Sequence, residues 1–233
     1  MKAMDTGVIS LLLAAYLLGA IPFVYLLGRL SGVDLRDEGS QNVGGTNLWR
    51  TAGPLTGVMG AALDIGKGLA LVLVARAFDF SEGVAGLAAI AAVVGQCWPI
   101  FLRFRGGRGI SVVAGAVVAY SPMAFVWAVL PAVAGLAAYV IVTSRQRQDA
   151  GTIISGSGGD SRTVPLCMMF SMVALPFVGV ALGESFTVVS IFTALSLVLL
   201  LRRLTAGLRQ DSGSAIPLFT RLRNRFLYDR AQV

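Results

Sequence analysis

The residues best suited to chemistry lie in three short polar segments, of which the first, 39–50, reads GSQNVGGTNLWR. Hydroxyl, amide and backbone N–H groups at this density can surround a phosphate, and an arginine adds a charge-assisted donor. The candidate ligands are Ser40, Asn42, Thr46, Asn47 and Arg50. A segment rich in Gly and Asn is also typical of an ordinary turn, so both interpretations stay open at this point.

The second segment places Asp64 and Lys67 three residues apart inside the apolar stretch 55–77. Ionisable residues at membrane depth are costly, so they face the protein interior or a water-filled pocket. At this spacing the two side chains share one helix face and can form an ion pair. The pair either holds helices together, or Lys67 reaches a substrate phosphate while Asp64 orients it.

The third segment, 103–111, reads RFRGGRGIS. Its glycines allow the backbone to approach an anion closely, and a helix that starts near Ile110 would direct its first N–H groups toward that anion. The spacing is not that of a Walker A loop. Arginines alone would also be expected on the cytoplasmic side of a membrane. The candidate ligands are Gly106, Gly107, Arg108, Gly109 and Ser111, with further positive charge from Arg103 and Arg105.

The composition excludes several kinds of active site. The 233 residues include no histidine, which excludes Ser-His-Asp and Cys-His catalysis, histidine-ligated metals and acyltransferases with an H-x-x-x-x-D motif. Cys97 and Cys167 lie in apolar runs at no metal-ligand spacing. We therefore expect no metal and no cofactor. The net charge of +7 indicates membrane orientation and anionic lipid headgroups rather than nucleic acid.

The elements that position these segments are predicted to be transmembrane helices. The chain is 56% hydrophobic and 13% charged, whereas soluble domains are about 25% charged. A span needs about 20 apolar residues, and the stretch 109–143 is divided because proline disfavours helix before Pro122. This predicts an all-α integral membrane protein, a single polytopic domain over 1–233. Its seven spans lie at about 8–30, 55–77, 84–101, 109–121, 125–143, 164–183 and 185–201.

The distribution of arginine orients the spans. The loops 31–54, 102–108 and 144–163 and the basic tail 202–233 share one side and carry almost all the arginines. The positive-inside rule places this side in the cytoplasm and the N-terminus outside. The three polar segments then meet at one membrane face, which predicts a cytoplasmic pocket for phosphate-bearing substrates. The apolar and basic residues of 208–233 predict either a helix on an anionic leaflet or a solvated tail.

The sequence resembles the bacterial acyl-phosphate:glycerol-3-phosphate acyltransferase family (PlsY) over about residues 10–120. Three runs carry the resemblance: LLGAIPFVYLLGRLSGVDLRDEGSQNVGGTNLWRTAG, DIGKG and VVGQCWPIFLRFRGGRG. It implies seven helices in the bacterial plasma membrane with an active site open to the cytoplasm. It also implies transfer of an acyl group from acyl phosphate to glycerol 3-phosphate, giving lysophosphatidic acid for phospholipid biosynthesis. Membrane lipids and the enzyme that supplies acyl phosphate are the further expected partners.

The family motifs fall on the same three segments. G-S-G-N-x-G-A-T-N-x-x-R matches 39–50, D-x-x-K-G matches 64–68, and G-G-K-G-V-A-T begins at Gly106 with Arg108 in place of lysine. The implied catalytic residues are Ser40, Asp64, Lys67 and Arg108. The implied phosphate ligands are Asn42, Thr46, Asn47, Arg50, Gly106, Gly107, Gly109 and Ser111. The expected mechanism is direct acyl transfer, with the proton taken by a substrate phosphate or by Asp64.

The chain departs from the family pattern at several polar positions. Gln96 stands where the family has histidine, and Pro165 lies where it has a serine-containing stretch. Leu197, Leu200 and Arg209 align with a later histidine, asparagine and glutamate. These departures leave an alternative open: a catalytically impaired paralogue that binds phosphorylated lipid precursors.

Overall fold

A computed structural model describes residues 2–149, 163–206 and 217–228, and all regular structure in these ranges is helical. The all-α prediction is therefore confirmed for this part of the chain. The helices are α1 (Lys2–Ala20), α2 (Phe23–Leu30), α3 (Gly45–Ala52), α4 (Pro54–Ala77), α5 (Glu82–Cys97), α6 (Ile110–Tyr120), α7 (Pro122–Asp149), α8 (Thr163–Ala181), α9 (Phe186–Thr205) and α10 (Leu218–Tyr228), with a 3₁₀ turn at Ile100–Leu102.

Four of the described helical stretches are long and apolar enough to cross a membrane: Thr6–Leu30, Pro54–Ala77, Glu82–Leu102 and Phe186–Thr205. Shorter apolar helices cover Ile110–Tyr120, Pro122–Gly135 and Phe170–Ala181. Helices thus lie on every stretch that hydropathy marked as a span. Seven crossings and the orientation of the termini stay predictions.

The first predicted span, 8–30, is two helices rather than one. Helix α1 ends at Ala20 and α2 begins at Phe23, because Pro22 has no N–H group and disfavours helical backbone at the residue before it. The Phe23 N–H group donates to the Ile21 carbonyl oxygen at 3.1 Å. It is therefore not available to the Gly19 carbonyl, which would be its partner in a continuous α-helix.

Polar contacts at one end of the molecule join the ends of α4 and α6 to the beginnings of α5 and α9. Arg76 donates to the Ala119 carbonyl at 2.7 Å and lies 3.7 Å from the Glu82 carboxylate. The Glu82 carbonyl accepts from the Tyr120 hydroxyl at 3.0 Å, and its carboxylate accepts from Ser185 at 3.2 Å. Helices α4 and α6 therefore run opposite to α5 and α9. The end of α5, the beginning of α6 and the end of α9 lie together at the other end.

Glycines bring two pairs of helices into backbone contact. A Cβ atom at Gly68 would overlap with the Val112 carbonyl, and one at Gly115 would overlap with the Ile65 carbonyl, so α4 and α6 touch directly. Small residues allow such close packing in membranes, where apolar burial drives little helix association. The pairs α4–α6 and α1–α5 use four glycines in this way: Gly19, Gly68, Gly95 and Gly115.

Helices α7 and α9 extend further toward their C-terminal ends than hydropathy predicted. Helix α7 continues to Asp149 and α9 to Thr205, so the predicted loop 144–163 and tail 202–233 both begin inside helices. Arg202 and Arg203 are buried rather than part of a solvated tail. The rest of that loop (150–162) and the tail residues 207–216 and 229–233, Arg209 included, lie outside the described residues.

We expect Gly68→Ala to lower the thermal stability of the protein in detergent, because the added methyl group overlaps with the Val112 carbonyl. Overpacking of this kind costs about 1–3 kcal/mol. The matched control is Gly66→Ala in the same helix, where a Cβ atom meets no heavy atom within 4 Å. Equal melting temperatures for the two variants would contradict the close contact between α4 and α6.

Candidate functional site

A buried ion pair lies at the centre of the polar residues. Asp64 and Lys67 face inward from one turn of α4, with 2.9 Å between Lys67 Nζ and Asp64 Oδ1. Their side chains are only 3% and 2% exposed. The pairing that the sequence allowed is present, so each charge is balanced by its neighbour.

Gln96, from the last turn of α5, connects the two charged groups. Its Nε2 donates to Asp64 Oδ2 at 2.7 Å, and its Oε1 accepts from Lys67 Nζ at 2.5 Å. A side-chain amide suits this place because it carries a donor and an acceptor together. The sequence singled out Gln96 only as a departure from the family pattern. Its role depends on the hydrogen bond from Lys67, which lies 29 residues earlier in the chain.

The break between α1 and α2 supplies the remaining partners of Lys67. The ammonium group donates to the carbonyl oxygens of Gly19 at 3.2 Å and Ile21 at 2.8 Å. With Gln96, these two carbonyls take the three donors that an ammonium group has, and Asp64 balances its charge. This arrangement favours the alternative in which the pair holds helices together, and contact between Lys67 and a substrate phosphate stays a prediction.

The glycine loop 106–109 is held from two sides. On one side, the Gly107 N–H group donates to the backbone carbonyl of Gln96 at 3.1 Å. On the other, buried Arg202 donates from Nη2 to the Gly106 carbonyl at 2.6 Å and from Nε to the Gly107 carbonyl at 3.0 Å. The guanidinium group also lies 5.5 Å from the ring centre of Trp98.

Sequence reasoning missed Arg202 because hydropathy ends the last span at 201. Its position was the available signal: Arg202 lies one turn inside the end of α9. An arginine that is buried there needs hydrogen-bond acceptors from a neighbouring segment.

Steric contact explains why the loop needs glycine. A Cβ atom at Gly106 would overlap with the Gln96 carbonyl and the Pro99 ring, and one at Gly107 with the Val43 carbonyl. Gly109 has φ +80°, a left-handed conformation that glycine adopts readily. All three glycines are buried. Close packing thus accounts for the glycines that the sequence assigned to phosphate binding.

Asn47 shapes the first segment instead of pointing to an open site. Its side chain is buried, and Oδ1 accepts from the Ser40 N–H group at 2.9 Å. Its Nδ2 donates to the carbonyls of Leu35 at 3.3 Å and Glu38 at 3.0 Å. Phosphate binding by Asn47 stays a prediction. The amide fixes the position of Ser40.

A surface ion pair orders the chain just before this segment. Arg36 binds Asp34 through two nitrogens, at 3.0 and 2.7 Å, and the Arg36 backbone N–H also donates to the carboxylate at 3.0 Å. These hydrogen bonds hold the pKa of Asp34 well below its ordinary value. Because the pair is exposed to solvent, its contribution is to the shape of the turn more than to stability.

The remaining candidates are accessible. Ser40, Thr46 and Arg50 are exposed, while Asn42, Arg108 and Ser111 are half-buried. Arg50 belongs to α3, which packs on α4 where Trp49 meets Gly57. It forms no hydrogen bond or ion pair with another residue in the described ranges. Arg50 is exposed and Arg108 half-buried, whereas Lys67 is enclosed, so a cavity common to the three stays a prediction.

The first and third segments approach each other around a narrow crevice. Its lining includes Pro22 from the helix break, Val43 from the first segment, Gln96 from α5, and Gly106 and Gly107 from the glycine loop. Gln96 extends this meeting point to the ion pair on α4. Among the described residues, no cluster of three or more Cys, Asp or Glu side chains could hold a metal ion.

The family model named glycerol-3-phosphate acyltransferase matches residues 9–210 of the chain. The glycerol-3-phosphate acyltransferase of Rubrobacter xylanophilus is 46% identical over 114 residues, which is 49% of this chain and 57% of the relative. With three such curated relatives, the matched stretch covers 57 to 62% of the relative's length.

Two solved structures share the fold. One is the glycerol 3-phosphate form of PlsY (YgiH), described as an integral membrane glycerol 3-phosphate acyltransferase, with a TM-score of 0.69 and 26% identity. The other is its lysophosphatidic acid form, with a TM-score of 0.68 and 25% identity. Both similarities cover 89% of this chain and 93% of the other. On its sequence and its fold, this membrane protein belongs to the glycerol-3-phosphate acyltransferase family.

Proposed function

We propose that the protein transfers an acyl group from acyl phosphate to glycerol 3-phosphate and produces lysophosphatidic acid and inorganic phosphate. The observation that carries the proposal is the glycine loop, in which Gln96 and Arg202 fix Gly106 and Gly107 next to half-buried Arg108. Family membership and the glycerol 3-phosphate and lysophosphatidic acid forms of the related PlsY support the same substrate and product.

The reaction suits a site without histidine. Acyl phosphate is a mixed anhydride, so its carbonyl carbon is already activated toward attack. The hydroxyl oxygen of glycerol 3-phosphate forms a new C–O bond to this carbon, the C–O bond to phosphate breaks, and phosphate leaves. The protein has to align two anionic substrates and stabilise the charge on the leaving group. Arginine side chains and backbone N–H groups do both.

The structure favours a substrate phosphate as the proton acceptor. Asp64 is enclosed, with Oδ1 beside Lys67 and Oδ2 bound by Gln96. A base must come within hydrogen-bond reach of the hydroxyl proton, which a carboxylate that is only 3% exposed and paired with Lys67 does not do. We therefore propose that Asp64 and Lys67 stabilise the structure of the site. The phosphate that leaves accepts the proton of the hydroxyl group.

The residues that contact substrate are then the accessible candidates. Ser40 lies in a turn that Asn47 anchors, and Arg108 lies in the glycine loop directly after Gly107. The other proposed contacts are Asn42, Thr46, Arg50 and Ser111. Beneath them, Asn47, Gly106, Gly107 and Gly109 set the backbone geometry.

We further propose seven membrane crossings in a bacterial plasma membrane, with the N-terminus outside and the C-terminus and active site in the cytoplasm. The charge distribution supports this orientation: Arg108 and Arg202 lie at the end of the molecule that carries the glycine loop. At the opposite end, Arg76 is balanced by Glu82. A cytoplasmic site also gives direct access to the enzyme that supplies acyl phosphate.

We expect Arg108→Ala to lower the rate of lysophosphatidic acid formation about 100-fold or more, the usual effect of removing one donor to a developing charge. The assay uses purified protein, an acyl phosphate and labelled glycerol 3-phosphate. Arg223→Ala, at an exposed position of α10, serves as the control and should retain activity. Full activity in Arg108→Ala would contradict the assigned role. Substrate binding without product in the unmodified protein would instead indicate the impaired paralogue.

We expect Lys67→Met to destabilise the protein strongly, because the Asp64 carboxylate would stay buried without its cation. Removal of one partner of a buried pair costs about 3–5 kcal/mol. The double variant Asp64→Asn with Lys67→Met removes both charges and should melt at a higher temperature than the single variant. Identical melting temperatures would show that the pair is not coupled.

The orientation is tested by labelling single cysteines in a cysteine-free background with a membrane-impermeant maleimide. In intact cells, Asp79→Cys, between α4 and α5, should react, whereas Arg105→Cys, before the glycine loop, should react only after permeabilisation. Both positions are exposed in the structure. The reverse labelling pattern would contradict the proposed topology.

A further inference from the structure

Gln96 is the one described residue that bonds both to the ion pair and to the glycine loop. Its side chain binds Asp64 and Lys67, and its backbone carbonyl accepts from the Gly107 N–H group. The residue is 7% exposed. Two parts of the site that are separate in sequence are therefore joined through a single side chain and its own main chain.

The end of helix α5 makes this connection possible. The last carbonyls of a helix have no partner within the helix and must find one elsewhere. Gln96 lies in the last turn of α5 (Glu82–Cys97), so its carbonyl is free to accept from the loop. A Cβ atom at Gly106 would overlap with the same carbonyl oxygen. The loop is thus packed directly against this part of the backbone.

The chemistry of the amide explains why glutamine suits this position. It donates to a carboxylate and accepts from an ammonium group at once, and it adds no charge to a buried pair that is already neutral. Methionine has a similar length but could bond neither group. Neutral histidine has one donor and one acceptor and could replace both contacts.

We infer that Gln96 is a positioning residue, which holds the glycine loop in its working geometry by anchoring its own backbone to the Asp64–Lys67 pair. The inference rests on the proposed acyl transfer. When the anchor is lost, the Gln96 carbonyl moves, Gly107 moves with it, and Arg108 no longer aligns with a substrate phosphate. A displacement of about 1 Å in such a site can cost about 100-fold in rate.

The test compares Gln96→Met with Ser196→Ala, which removes a different buried hydrogen bond, from Ser196 to the Met172 carbonyl at 2.8 Å. We expect Gln96→Met to raise the KM for at least one phosphate-bearing substrate about tenfold and to lower kcat. Ser196→Ala should leave KM unchanged. A merely structural role would reduce the amount of active protein, which lowers the apparent kcat but does not change KM.

Gln96→His provides the conservative variant. At pH 8, above the ordinary histidine pKa of about 6.5, its neutral ring should restore a KM near that of the unmodified protein. If Gln96→Met does not fold, the test uses Gln96→His alone. A KM about ten times higher in Gln96→His than in the unmodified protein would then overturn the inference. An unchanged KM in a folded Gln96→Met variant would also overturn it.

Amide hydrogen exchange separates this inference from the proposed function. Peptides that contain residues 106–109 should exchange faster in Gln96→Met than in Ser196→Ala, whether or not the protein forms lysophosphatidic acid. Faster exchange in Gln96→Met, together with no lysophosphatidic acid formation by the unmodified protein, would support the positioning role and contradict the acyl transfer. Equal exchange in the two variants would contradict the positioning role.

Discussion

The structure depends on the burial of two opposite charges within an apolar helical bundle. A carboxylate and an ammonium group in such surroundings need each other and need further hydrogen bonds. Asp64 and Lys67 obtain them from three helices: their own, the broken first helix through Gly19 and Ile21, and α5 through Gln96. The requirement for partners thus ties α1, α4 and α5 together at one point.

The polar residues of the candidate site form two groups, which differ in burial. Buried residues, among them Asn47 and Arg202, use their hydrogen bonds to set the backbone of the two loops. Accessible residues, such as Ser40 and Arg108, are carried by those loops. The motif of the first segment contains Asn47 and Ser40 alike, because a sequence pattern does not distinguish a residue that touches substrate from one that holds its neighbour.

Much of the fold follows from the sequence, and the site follows only in part. Hydropathy predicts where the helices lie, and the spacing of Asp64 and Lys67 predicts their pairing. Pro22 carried a local signal for the break in the first helix. The side-chain contacts of Gln96 and Arg202 could not be predicted, because they join residues 29 to 96 positions apart. Only the packed arrangement of helices brings such groups together.

The glycine contacts between α4 and α6, and between α1 and α5, also constrain how the molecule can move. Where main chain touches main chain, there are no long side chains whose rotamers could change to let the helices separate. These two pairs therefore behave as rigid units. In the proposed reaction, the hydrocarbon chain of an acyl phosphate would therefore have to enter along another side of the bundle.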